Sequence, residues 1–164
     1  MPRRVSVKSR PRYRANWSHE NKGCIITTGT ELVNGLFQGG SNVVPASTTQ
    51  GTRTVSNFDI TVPTPFGSSS GVSEVYWALV YCPQGETVNS LFAASGSPEG
   101  SLYEPNQYVL ASGISDSSAG PIRIKSRMSR KLQSGDFISL VIGTTVQSST
   151  TNTRALVSYS VKYN

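Results

Sequence analysis

No long stretch of this 164-residue chain repeats its apolar residues every 3.6 positions, and that confines it to strands. What recurs is a short apolar, β-branched run cut off by Gly, Pro, Asn or Ser. The run "CIITTGTELVNGLF" reads as two strands with a break at Gly29. "RTVSNFDITV" alternates through Val55, Asn57 or Phe58, Ile60 and Val62, with room for a bulge. "SEVYWALVYC" is nearly continuously apolar and suits a central strand. "YVLASGIS", "PIRIKSRMSR", "DFISLVIGTTV" and "TRALVSYSVKY" complete eight strands. "GGSNVVPASTTQGT", "PTPFGSSSG" and "QSSTTNT" read as loops, and "ETVNSLFAA" as at most one helical turn. Eight strands with uneven, sometimes long connections define an all-β chain, a two-sheet sandwich or jelly roll.

Charge divides the chain. Arg3, Arg4, Lys8, Arg10, Arg12 and Arg14 occupy the first 14 residues with no acid among them. Removing those six from 15 basic residues leaves nine, against nine acids, so the net +6 lies wholly in this segment. Pro2, Pro11 and mutual repulsion keep it extended. Residues 1–22 are therefore expected to be a flexible basic N-terminal arm and linker, and residues 23–164 one folded domain. Arginine grips phosphate oxygens bidentately, and Tyr13 and Trp17 offer rings for unpaired bases.

"PIRIKSRMSRKLQSGD" carries the second basic feature. Strand alternation sets Arg123, Lys125 and Arg127 on one face and Ile122, Ile124, Ser126 and Met128 on the other. Three cations at every second residue form a line about 13 Å long. Lysine and arginine also guard strand edges, which accounts for one or two cations. It accounts less well for five between 123 and 131 with no acid.

Catalytic and metal constellations are missing from the pattern. The lone histidine, His19, falls in the linker, where a solvated role is expected. Cys24 and Cys82 do not have zinc spacing and read as buried thiols, with a bridge between them as the alternative. Glu104 and Asp116 are the one acid pair worth inspecting. "GSSSG" lacks the lysine and the strand-to-helix setting of a phosphate loop. The reading is non-enzymatic, without metal or cofactor. No apolar run reaches the ~18 residues of a membrane span, and no apolar stretch follows the N-terminal charge as in a secretory signal.

At "YWALVY" followed by Pro83 and Gly85, and at "LYEPNQYVLASGISDSSAGPIR", the chain resembles capsid proteins of small circular single-stranded DNA viruses that encode a replication initiator. The likeness runs from about Gly23 to Tyr163. It implies a single eight-stranded jelly roll that self-assembles into a closed icosahedral shell of about sixty copies. It further implies an inward arm holding single-stranded nucleic acid, residence in the virion, assembly in the host nucleus and an unspecified host receptor. Arg3, Arg4, Lys8, Arg10, Arg12 and Arg14 match that arm by position, and Arg123, Lys125 and Arg127 follow "SAGPI" in a stretch that is often basic. Family arms are often longer and richer in arginine. Nine cations in each of about sixty copies balance only about 540 nucleotides at one charge each, so a longer strand leaves the rest to counterions. Loops 39–52, 63–73 and 95–107 are candidates for contacts between copies. The competing reading is a non-viral β-sandwich that binds carbohydrate or another ligand and carries an incidental basic tail.

Overall fold

The computed structural model describes residues 17–33, 36–63, 74–88, 108–116, 120–144 and 151–163. Among these there is no helix. Nine strands form: β1 (Ser18–Val33), β2 (Leu36–Val44), β3 (Arg53–Val62), β4 (Glu74–Cys82), β5 (Tyr108–Asp116), β6 (Ile122–Ser126), β7 (Arg130–Leu132), β8 (Phe137–Thr144) and β9 (Thr151–Tyr163). Every pairing is antiparallel, in the order β5-β4-β8-β2-β1-β9-β3-β6, with β7 also on β3.

The bend of this sheet lies in β1. Its first part, Ser18–Thr28, pairs with β9, and from Thr27 onward it pairs with β2. The two ladders meet at a bulge, because Thr28 and Thr30 face the consecutive residues Gly39 and Gln38. Gly29 is thus the extra residue of a bulge and not the end of a strand, and a bulge lets one strand turn from one layer into another. The two halves, β5-β4-β8-β2 and β1-β9-β3-β6, fold onto a shared core. Val75, Leu79, Ile138, Leu140 and Ile142 of the first half pack with Ile26, Phe58, Ile60, Ile124 and Val157 of the second. Full burial of each large aliphatic side chain there contributes about 1.5–3 kcal/mol.

Nine strands replace the expected eight because "PIRIKSRMSR" is broken. Phe58 faces Ser126 and Val55 faces Arg130, so three residues, 127–129, oppose two on β3. Across from them Asn57 adopts φ +55°, a left-handed conformation that asparagine tolerates better than most residues. The β3–β9 register shifts at the same place, between Ser56 and Asp59, where a bulge was expected. Met128 is consequently 51% exposed and does not join the apolar face.

Other boundaries also move. The first strand starts at Ser18, before Gly23, and His19 is part of it. Residues 39–44 belong to β2, although "GGSNVV" reads as loop. Gly40 explains why glycine suits a strand here: a Cβ would lie 3.1 Å from the Leu140 carbonyl oxygen. Thr151, Asn152 and Thr153 of "QSSTTNT" pair with Thr28, Thr27 and Ile26. "SEVYWALVYC" is flanked by β5 and β8, as its apolar character requires. Residues 86–88 of the suggested helical turn have no regular structure, and 89–94 lie outside the described residues.

The two outward faces differ. Behind β4 and β8 a second apolar layer forms from Ala78, Val80, Cys82 and Val141, with Tyr76, Val88, Val109 and Phe137 against it. The outward side of β1-β9-β3-β6 is instead open, with Asn21, Ile25, Asp59, Arg123, Lys125, Arg154 and Leu156 exposed.

Candidate nucleic-acid interface

Alternation along β6 builds the open face. Ile122, Ile124 and Ser126 are buried while Arg123 and Lys125 are exposed. Pairing with β3 and then β9 and β1 arranges rows across this face. One row runs Gly23, Leu156, Thr61, Arg123, and the next runs Asn21, Ser158, Asp59, Lys125. Arg154 joins them, since its side chain lies over Gly23, with Nε 3.2 Å from where a glycine Cβ would stand. Arg123, Lys125 and Arg154 therefore share a face with one acid, Asp59, among the described residues. Lys125 Nζ is 3.4 Å from Asp59 Oδ2, and both side chains are at least half exposed. Water screens such a pair, so it is worth little.

The five cations between 123 and 131 do not form one stripe. Arg127 is exposed but sits past the end of β6, in the three-residue bulge. Arg130 is drawn away: its guanidinium carbon stands 4.2 Å from the centre of the Tyr81 ring and 5.6 Å from that of Tyr108. Those rings meet edge to face at 5.4 Å. Lys131 is exposed on β7. β6 also ends the strand order, where cations additionally discourage strand addition.

Arg3, Arg4, Lys8, Arg10, Arg12 and Arg14 lie outside the described residues, as do Tyr13, Glu104, the contact loops 64–73 and 95–107, and the glycines of "GSSSG". Arg154 was missed from sequence, yet its signal is present: Ala155, Val157 and Tyr159 are buried and Arg154 and Leu156 alternate outward. Asp116 stands opposite Glu74 across the β4–β5 ladder.

The remaining reactive groups are spoken for. His19 is exposed, with Nδ1 3.2 Å from Ser160 Oγ. Cys24 and Cys82 are both free and buried, and they lie in different layers, the shared core and the outer apolar layer. Burial first, and then the charge of Glu86, push the Cys82 thiol up to about 11. Lys22 donates to the Asn42 carbonyl at 3.2 Å, and burial pulls its ammonium below the ordinary lysine value. Among the described residues, no three His, Cys, Asp or Glu side chains gather as a metal site, and no helix is long and apolar enough to cross a membrane. No protein-family model and no curated protein matches the chain.

Proposed function

We propose that this chain is a non-enzymatic shell subunit, a viral capsid protein that self-assembles and holds single-stranded nucleic acid against its basic surfaces. The observation that carries this reading is the open face of β1-β9-β3-β6, where Arg123, Lys125 and Arg154 meet Asp59 alone among the described residues. A polyanion lowers the free energy of such a face by releasing its own counterions. The basic segment at 1–14 adds six cations to the same chain.

Strand order supports a jelly roll. The halves β5-β4-β8-β2 and β1-β9-β3-β6 each hold four strands if β6 and β7 count as one interrupted strand on β3. Neighbours in space are β1 with β9, β2 with β8 and β3 with β6, the nested arrangement of a doubly wound Greek key. A ligand-binding sandwich would favour an open aromatic platform. The exposed ring of Tyr108 is a start on one, but Arg130 already covers its neighbour Tyr81.

Replacing Arg123, Lys125, Arg127 and Arg154 together by Ser tests the reading. All four are exposed, so the fold is expected to stand. Purified particles of the variant should carry less nucleic acid, read as a lower 260/280 nm absorbance ratio at equal protein. An unchanged ratio would overturn the role of this face.

A further inference from the structure

Arg53 is a cation in the wrong place unless something negative joins it. It begins β3, it is only 7% exposed, and among the described residues no carboxylate lies within ion-pair distance of it. Its Nη2 donates to the Pro45 carbonyl and, at 3.2 Å, to that of Asp136. Its Nε is fully enclosed and donates to nothing among the described residues. Asp136, whose carbonyl Arg53 meets, has its carboxylate committed elsewhere: it accepts from Tyr81 Oη, Gln84 N and Gln133 N. Lys22 adds to the positive field: burial first pulls its ammonium below the ordinary lysine value, Cys24 and Glu20 act against that, and the Arg53 charge lowers it further. A buried cation without a counter-charge is costly, and partners supplied by carbonyls alone do not remove the charge.

Beside this cation is a small pocket. It lies between the 47–52 loop and the turn at Gln133 and Ser134, and its volume is about 180 Å³. Thr49, Gln50, Thr52, Ser134 and Tyr163 line it together with Arg53. That volume falls below the roughly 300–1,000 Å³ of pockets for drug-sized ligands. Hydroxyl, amide and guanidinium donors around a small space match a compact anion with several acceptor oxygens.

We propose that this pocket binds a tetrahedral oxyanion, inorganic phosphate or the phosphate of a monoester, with Arg53 as its counter-charge. The site does not rest on the shell reading and would exist equally in a monomer.

Calorimetric titration of the full chain with inorganic phosphate, at ionic strength held constant with chloride, tests this. A parallel titration uses a nucleoside 5′-monophosphate. Two variants accompany the wild type. Arg53→Gln removes the counter-charge. Gln50→Glu is isosteric, sits in an exposed part of the loop, leaves Arg53 and its two carbonyl contacts in place, and sets a carboxylate at the pocket. One phosphate per chain is expected beyond any diffuse binding to the basic arm, which both Gln50→Glu and wild type share. Affinity should fall about tenfold in Gln50→Glu, equivalent to about 1.4 kcal/mol. Tighter binding of the monophosphate would assign the site to a phosphate ester, and equal or weaker binding to the free anion. Absence of a saturable site in the wild type, or equal affinity in wild type and Gln50→Glu, would overturn the proposal.

Discussion

Asp136 is the side chain whose change the structure predicts most sharply. It is 5% exposed and ends the turn that starts at Gln133. One oxygen, Oδ2, accepts from Tyr81 Oη and from Gln133 N, both at 2.8 Å, and Oδ1 accepts from Gln84 N at 3.1 Å. This one carboxylate therefore fastens the end of β4 and the segment after it to the turn entering β8. Asp136→Asn keeps the shape. With its oxygen at the Oδ2 position two bonds survive, and the amide then meets Gln84 N–H donor against donor. One bond to a charged acceptor is lost, a cost of about 2 kcal/mol. Asp136→Ala loses all three and leaves part-buried donors behind, a cost of about 3–5 kcal/mol. Urea unfolding at matched protein concentration reads both. With a slope of about 2 kcal/mol/M, the midpoint should fall about 1 M for Asn and about twice that for Ala. Equal midpoints for the two variants, or a shift of less than ~0.3 M for both, would refute the three-bond account.

Three further outcomes follow from the same structure. Gly113 faces Trp77 across the β4–β5 ladder, and a Cβ there would stand 2.4 Å from the indole Cζ2, so Gly113→Ala should destabilise by about 1–3 kcal/mol in thermal melting. Truncating Trp77 to Leu in the same chain should recover part of that loss. Cys82 holds its proton to about 11 when folded against an ordinary 9.0, so between these values only the unfolded chain releases it. Stability from this group should fall as pH rises from 9 to 11, and alkylation of native protein at pH 8 should be slow until denaturant is added. Asp59→Asn frees Lys125 at an exposed pair, so stability should change by less than about 1 kcal/mol while retained nucleic acid rises, measured by urea midpoint and absorbance ratio.

Local pattern carried much of this fold. Phe58, Ile60 and Val62 announced the buried side of β3 beyond its bulge, and Ile122 and Ile124 that of β6, because side chains alternate whatever lies opposite. Gly39 and Gly40 resisted the same reading, because glycines are poor strand formers alone; at Gly40 it is the nearness of Leu140 in another strand that makes glycine fit. The Arg127–Ser129 bulge was hidden for a similar reason, since it answers the left-handed Asn57 on its partner. At the candidate interface, Arg123 and Lys125 were legible from alternation alone. Asp59 beside Lys125, Arg130 on Tyr81 and Arg154 over Gly23 were not, because each depends on which distant strand became the neighbour.

The measurement that bears most directly on the central claim is size exclusion with light scattering and absorbance at 260 and 280 nm, in low and in high salt. A shell of about sixty 17.6 kDa subunits predicts particles near 1 MDa with a raised 260/280 ratio in low salt. High salt should lower that ratio by weakening phosphate contacts. A 17.6 kDa monomer in both buffers, with the absorbance ratio of protein alone, would contradict the shell.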